Sequence, residues 1–151
     1  MNNKRGILLK ICRIILGIVF LYSAYSKLKN PLLFSESIHN YRILGMVLSG
    51  WAAVLVPVLE GIVGVGLITG LWLQESLILT AALYMVFDVM IVQALIRGLD
   101  IDCGCFNPGD SEPIDIYKIM QNVILTAMAF WSLVYNYRQT TSNLHKGQLS
   151  R

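Results

Sequence analysis

The sequence predicts an all-α integral membrane protein, a four-helix bundle whose two termini both lie in the cytoplasm. Of its 151 residues, 56% are hydrophobic and only 14% are charged, a composition too apolar for a water-soluble domain. The apolar residues form four long runs with short connections between them. That arrangement favours one membrane domain over a soluble domain with a single anchor.

Each apolar run is long enough to cross a bilayer, because about 20 helical residues at about 1.5 Å each cover a hydrocarbon core of about 30 Å. The predicted spans are residues 7–26, 46–73, 76–96 and 114–135. Trp51 and Trp72 lie near the ends of the second span, and Trp131 lies near the end of the fourth, where indole rings favour the lipid–water interface. The connection over residues 30–43 is rich in Phe, Leu and Ile and is expected to lie on the membrane surface as a short amphipathic helix. Residues 137–151 are expected to form a polar cytoplasmic tail.

The distribution of basic residues predicts which side of the membrane the termini and the loops face. Seven of the 12 Lys and Arg residues lie on the side of the termini, and five lie on the other side. Because positively charged segments are retained in the cytoplasm, both termini are expected there, and the loop of residues 97–118 is expected outside. A signal peptide is the other interpretation of an apolar run after Lys4 and Arg5, but no small-residue cleavage pattern follows, so we expect an uncleaved helix. The basic residues form no stripe that could follow a phosphate backbone, so nucleic acid is not an expected partner.

The outer loop contains the pair Cys103-Gly104-Cys105. A disulfide needs its two Cα atoms within about 4.4 to 6.8 Å, a range that cysteines at i and i+2 meet only where the chain bends, as Gly104 permits. A bridge in so small a ring is expected to be strained, and strained exposed disulfides tend to exchange. In an oxidising compartment, a reduced pair persists only if it cycles with a partner. The spacing therefore favours a redox role for Cys103 and Cys105.

The surroundings of the cysteine pair argue partly against that role. Asp100 and Asp102 should raise the pKa of the neighbouring thiols and lower the fraction of reactive thiolate. A tight turn with two inert cysteines is the alternative. Cys12 lies about 20 Å or more away along the first helix, so it cannot pair with either cysteine of the loop. A structural zinc site requires four ligands, which the cysteines and His39 do not supply, so no metal site is expected.

Two acids lie inside predicted spans, Glu60 in the second and Asp88 in the third. A charge in mid-membrane costs at least about 2.5 to 3.5 kcal/mol, so both acids are expected to face the bundle interior or a water-filled cavity. Helix rise places each about 18 Å above the cytoplasmic boundary, so the two can share one layer and be partly protonated. They would serve either as a proton relay or the polar end of a quinone pocket, or as neutral acids that hydrogen-bond between helices.

Other polar and small residues of the spans have structural interpretations. Lys27 and Arg97, at the outer ends of the first and third spans, are expected to snorkel towards lipid head groups. Gln93, Gln121 and Asn122 could line a cavity beneath the cysteine loop, although ordinary hydrogen bonds between helices are the expected role. Small positions where helix backbones can approach closely are Gly17, Gly61, Gly64, Gly66 and Gly70.

Several motifs occur in a characteristic order along the chain. They are Arg13 to Phe20, Ser23-Ala24 with Lys27-Leu28, Pro57-Val58-Leu59-Glu60-Gly61, and Arg97-Gly98 leading to Asp102-Cys103-Gly104-Cys105-Phe106. In these motifs the chain resembles the MauE and DoxX-like family of small redox-associated membrane proteins. The resemblance implies a four-helix bundle in the bacterial cytoplasmic membrane, linked in methylamine utilisation to disulfide maturation of a periplasmic dehydrogenase subunit. The chain departs from the family pattern at Asn107, where Gly is usual, and at Gln121-Asn122, where a basic residue is expected.

The resemblance and the cysteine pair together predict a thiol-disulfide redox protein. Cys103 and Cys105 would exchange electrons with an extracytoplasmic thioredoxin-like or dehydrogenase partner, and the bundle would pass them to a membrane carrier such as quinone. Glu60 and Asp88 would handle protons. Because transmembrane disulfide relays commonly use two cysteine pairs and this chain has one, a non-catalytic accessory protein that positions a thioredoxin-like partner is an alternative. A small proton-coupled transporter built on Glu60 and Asp88 is another.

Overall fold

The computed structural model of the protein describes residues 3–98 and 116–149, which form five α-helices. The helices are α1 (Asn3–Lys29), α2 (Pro31–Asn40), α3 (Met46–Thr69), α4 (Leu73–Ile96) and α5 (Ile116–Leu149). Within these two ranges there is no strand, and the all-α prediction is confirmed. Cys103 and Cys105 lie outside the described residues, so their pairing stays a prediction.

Four of the helices form a bundle, and α2 covers part of one end. Around the bundle, α1, α3, α4 and α5 follow one another in a ring in which each packs on two neighbours, while α2 packs mainly on α3. All four contribute to the buried core, with Leu16, Phe20, Val63, Leu67, Leu77, Tyr84, Leu125 and Ala129. The rings of Phe20 and Tyr84 meet edge to face across the bundle, with 5.2 Å between their centroids. The centre of the bundle is therefore filled by side chains, and those of α1 and α4 meet there although the two helices lie on opposite sides of the ring.

The outside of the bundle is apolar. Among the described residues, three helical segments are long and apolar enough to cross a membrane, namely Gly6–Lys29, Met46–Thr69 and Leu73–Ile96. Large side chains on their outer faces are exposed, among them Ile18 at 56%, Ile62 at 60% and Val89 at 63%. A continuous apolar surface of this kind is stable against lipid and unfavourable against water. The protein is an all-α membrane protein.

The helix bounds differ from the predicted spans at the turn between α3 and α4. α3 ends at Thr69 and α4 begins at Leu73, whereas hydropathy extended the second span to residue 73 and started the third at 76. Gly70 follows α3 with a φ of 78°, the left-handed conformation in which glycine ends many helices. The other residues of the turn are apolar, which is why hydropathy did not detect it. α5 also continues as helix to Leu149, through most of the residues predicted as a polar tail.

α1 and α3 are in close contact at two glycines. A Cβ atom on Gly17 would lie 2.6 Å from Ile68 Cγ1 and 3.0 Å from the carbonyl oxygen of Gly64, closer than side chains normally approach. The predicted close approach of helix backbones is confirmed at Gly17 and Gly64. It is wrong at Gly61, where a Cβ atom would meet nothing within 4 Å. The close contact at Gly17 and Gly64 also holds Glu60, which lies one turn before Gly64 on α3, next to α1.

The connection between α1 and α3 contains the predicted short helix, α2. Pro31 occupies its first turn, where a helix can accept a residue without an N–H group. Phe34 and Ile38 are buried on α2 and form a second apolar cluster with Ala53 of α3. One face of α2 is therefore fixed on α3, close to the end of α1.

Candidate functional site

A buried ion pair joins α1 to α3. The Lys27 Nζ atom donates a hydrogen bond to Glu60 Oε1 at 2.5 Å, and the two side chains are 1% and 3% exposed. The prediction that Lys27 snorkels to lipid head groups is wrong, because its side chain turns into the bundle. The physical reason is Glu60, since a buried carboxylate is far less costly when a cation bonds to it.

Two aromatic rings complete the surroundings of the Lys27 ammonium group. The Nζ atom lies 5.0 Å from the centroid of the Phe34 ring on α2 and 4.7 Å from that of Phe87 on α4. The face of an aromatic ring attracts a cation, and the attraction is strongest where water is excluded. Helices α1, α2, α3 and α4 therefore all contribute to the position of one positive charge.

A small cavity lies beside the ion pair. Its volume is about 30 Å³, and it is lined by Val19, Phe20, Ser23, Lys27, Glu60, Tyr84, Phe87 and Asn122. Ser23 lies next to the Glu60 carboxyl group. Among the described residues, the second oxygen of that group, Glu60 Oε2, has no hydrogen-bond partner. The cavity thus brings an unsatisfied buried oxygen together with polar side chains from α1, α4 and α5.

Asp88 bonds to a different helix. One of its carboxyl oxygens accepts a hydrogen bond from Asn122 Nδ2 at 2.5 Å, and the other accepts one from Thr126 Oγ1 at 2.8 Å. Both donors are on α5, so Asp88 joins α4 to α5. This is the interhelical hydrogen bonding that was one of the two predicted roles for the acids. The Asn122–Asp88 bond is the interhelical hydrogen bond that was the expected role of Asn122, which also lines the cavity at Glu60.

The two acids do not form a pair in one layer. At about 1.5 Å per residue, Glu60 lies about 13.5 Å along α3 from Thr69 and Asp88 about 22.5 Å along α4 from Leu73, the two helix ends at the turn between them, so their depths differ by about 9 Å. The prediction of one common layer was wrong because it measured α3 from residue 72 instead of Thr69 and α4 from residue 76 instead of Leu73. Tyr84 lines the cavity beside Glu60, and its hydroxyl group interacts electrostatically with the carboxyl groups of both acids.

Lys27 and Tyr84 are the site residues that sequence reasoning missed. Lys27 was counted with the basic residues of the outer side, since it is close to the end of an apolar helix. The signal that could have found it is the presence of one lysine and one glutamate in neighbouring spans, because intramembrane charges pair with one another. Tyr84 gives no comparable signal, since a tyrosine in an apolar helix is common.

Comparison with known proteins identifies the family. The family described as methylamine utilisation protein MauE matches residues 5–135 of this chain. Two proteins named methylamine utilization protein MauE, from Paracoccus denitrificans and Paracoccus versutus, are each 35% identical over 118 residues, 78% of this chain. The chain matches 63% of the length of each relative. No solved structure matches it. From the match over most of its length, the chain belongs to the MauE family.

Proposed function

We propose that this protein supports thiol-disulfide exchange on an extracytoplasmic partner, as part of methylamine utilisation. The observation that carries the proposal is the match to the MauE family, in a chain that has the Cys103-Gly104-Cys105 pair between α4 and α5. The pair is proposed to face outward from the bacterial cytoplasmic membrane, and α5 is proposed to cross the membrane as the fourth span. A thioredoxin-like protein or a dehydrogenase subunit is the proposed partner.

The chemistry of the cysteines requires an acceptor for electrons and protons. When two thiols form a disulfide, one S–S bond forms, two S–H bonds break, and two electrons and two protons leave. A partner dithiol that reduces the Cys103–Cys105 disulfide transfers two electrons and two protons to the pair and itself becomes a disulfide, and the pair then passes them to the membrane carrier. Glu60 and Asp88 are proposed to handle protons in the bundle below the pair, because carboxyl groups can take up and release protons where lipid excludes water.

A groove on the lipid-facing side has a shape suited to a quinone as the electron carrier. It lies between α2 and α4, has a volume of about 510 Å³, and is lined by apolar residues such as Ile38, Val89 and Met90. Gln93 also lines the groove and supplies an amide that could donate to a ring carbonyl. A quinone held there would accept two electrons and two protons.

A non-catalytic role is the second candidate, and one observation favours it. The chain has three cysteines, and Cys12 lies in α1, so it offers no second cysteine pair for a relay across the membrane. In this alternative the protein positions a thioredoxin-like partner and leaves the chemistry to it. The transporter alternative would have to operate on protons, because the cavity of about 30 Å³ at Glu60 admits little more than water.

Alkylation of thiols in intact cells separates these candidates. A membrane-impermeant reagent is expected to label the reduced fraction of Cys103 and Cys105 from outside, and this labelled fraction should fall when the partner is deleted, because the partner's thiols no longer reduce the pair. Cys103→Ser should prevent disulfide formation in the partner, and Cys12→Ser, the matched control in α1, should leave it unchanged. If Cys103 and Cys105 keep one redox state with and without the partner, the exchange proposal fails. If Cys103→Ser also leaves partner maturation intact, the accessory role is favoured.

A further inference from the structure

The unsatisfied oxygen of Glu60 is the starting point. The side chain is 3% exposed, its Oε1 atom bonds to Lys27, and its Oε2 atom has no hydrogen-bond partner among the described residues. In folded proteins, nearly all buried polar atoms bond to protein or to ordered water. Because Glu60 also lines a cavity, that cavity is the place to look for the missing partner of this oxygen.

The cavity has the size and the lining for water. A bound water needs about 10 to 15 Å³ of space and two to four polar partners, and this cavity offers about 30 Å³. Its polar lining residues are Ser23, Lys27, Glu60, Tyr84 and Asn122. A dry cavity would be expected with an apolar lining only. The space therefore suits about two water molecules among these polar side chains.

Tyr84 and Asn122 connect this cavity to Asp88. Tyr84 lines the cavity, and its hydroxyl group interacts electrostatically with the carboxyl groups of both Glu60 and Asp88. Asn122 lines the same cavity and donates a hydrogen bond to Asp88. A hydroxyl group can accept one proton and donate another, whereas an amide mainly orients its neighbours. Tyr84 is therefore the group that can carry a proton between the two acids.

The charges of the site also favour one mobile proton. Lys27 carries one positive charge, and Glu60 and Asp88 carry two negative charges when both are ionised. Their sum is a net negative charge inside an apolar bundle, which is costly. One proton added to these three groups makes the site neutral.

We propose that the cavity binds about two water molecules that connect Glu60 Oε2 through the Tyr84 hydroxyl group to Asp88, forming a buried proton path. A proton leaves the Glu60 carboxyl for a water oxygen, and that water releases one of its own protons to the Tyr84 oxygen. Tyr84 passes its original proton to the Asp88 carboxylate. One proton moves, no electrons move, and water and Tyr84 end unchanged. The inference deepens the proposed function, since it rests on proton handling by the two acids.

Infrared spectra of the full-length protein in lipid nanodiscs test the water. Spectra are compared in ordinary and in ¹⁸O-labelled water, and a water O–H band that shifts with the label is expected in the wild type. The band should be lost in Glu60→Gln. It should also be lost in Val19→Ile, which adds one methylene to the apolar lining and changes no polar group. No such band in the wild type, or a band that persists in both variants, overturns the proposal.

Tyr84→Phe tests the path. After transfer to D₂O, exchange of the buried carboxyl proton is followed at the carboxyl stretching band, and it is expected to slow at least about tenfold because the transferring hydroxyl group is missing. The matched control is Tyr22→Phe, at a tyrosine that is 58% exposed on α1, and it should keep the wild-type rate. Equal exchange rates in the wild type and Tyr84→Phe overturn the path.

These measurements are independent of the cysteines, so they can be repeated in Cys103→Ser/Cys105→Ser. If that variant keeps the water band and the effect of Tyr84→Phe, while cells show no thiol-disulfide exchange, the proposed function fails and the proton path stands. If exchange occurs in cells but the water band is absent, the path fails and the proposed function stands.

Discussion

Lys27 and Glu60 place two opposite charges where the surroundings are lipid and apolar side chains. Removing both charges from water costs several kcal/mol per ion, which their mutual attraction only partly offsets. The Phe34 and Phe87 rings near Lys27 Nζ recover a further part of the cost. Such a pair contributes little net stability, but either charge destabilises the folded protein strongly when its partner is lost.

Breaking this pair from one side is expected to be strongly destabilising. Lys27→Met should lower the free energy of unfolding by about 3 to 5 kcal/mol, because it leaves Glu60 buried without its cation. The double variant Lys27→Met/Glu60→Leu removes both charges and should be more stable than Lys27→Met. Unfolding in a mixed-micelle denaturant titration measures both.

Lys29→Met is the matched control, since Lys29 is exposed at the end of the same helix. It should change the free energy of unfolding by less than about 0.5 kcal/mol. A Lys27→Met variant as stable as Lys29→Met would contradict the buried pair.

For individual residues, the sequence identified Glu60, which is buried, and Asp88, which is half-buried, as polar residues inside the helices, but it did not identify their partners. The energetic cost of a charge in lipid is a property of the residue, so it can be predicted from position in an apolar run. Whether Lys27 extends outward to head groups or inward to Glu60 depends on how α1 is rotated against α3. That rotation is set by packing, which a single helix sequence does not specify.

The helices α1 and α3 hold the ion pair because their backbones come unusually close. At Gly64, an added Cβ atom would lie 2.9 Å from Leu21 Cγ and 3.0 Å from the carbonyl oxygen of Gly17. No side chain fits there unless the helices separate. Glu60 lies one turn away on α3, so the distance between the helices at Gly64 also controls the distance from Glu60 to α1.

Gly64→Ala is expected to destabilise the protein by about 1 to 3 kcal/mol, as overpacking of a well-packed interior does. Gly61→Ala is the matched control on the same helix, because a Cβ atom there meets nothing within 4 Å. It should leave stability unchanged or raise it slightly, since alanine is the better helix former. The same denaturant titration compares the two variants. Equal stability of Gly64→Ala and Gly61→Ala would contradict the close contact.

Composition was sufficient to predict the helices, but not which of their faces meet. Lipid requires long apolar helices, and hydropathy detects these directly. Of the five glycines predicted at helix contacts, Gly17 and Gly64 are in the α1–α3 contact and Gly61 is not. The turn after α3 was missed because its residues are apolar, although Gly70 is a typical helix-ending residue.

In the whole molecule, the four bundle helices enclose a polar site beside their apolar core. The Lys27–Glu60 pair links α1 to α3, Asp88 links α4 to α5, and the cavity with Tyr84 and Asn122 lies between these two links. The cysteine pair follows α4 and precedes α5 in the chain, so the two helices that Asp88 joins are also the two that lead into and out of the cysteine segment. We therefore expect the buried acids and the thiols to act together.

The rate of thiol-disulfide exchange in the purified full-length protein tests that connection most directly. A small disulfide serves as the probe, and the rate is compared in the wild type, Glu60→Gln, and Glu36→Gln, whose acid is exposed on α2. Glu60→Gln, with its folded state verified by circular dichroism, should slow exchange at Cys103 and Cys105 at least about tenfold, because a proton-handling group is lost. Glu36→Gln should stay within about twofold of the wild type. A Glu60→Gln variant that exchanges at the wild-type rate would contradict a role for the buried acid in the thiol chemistry.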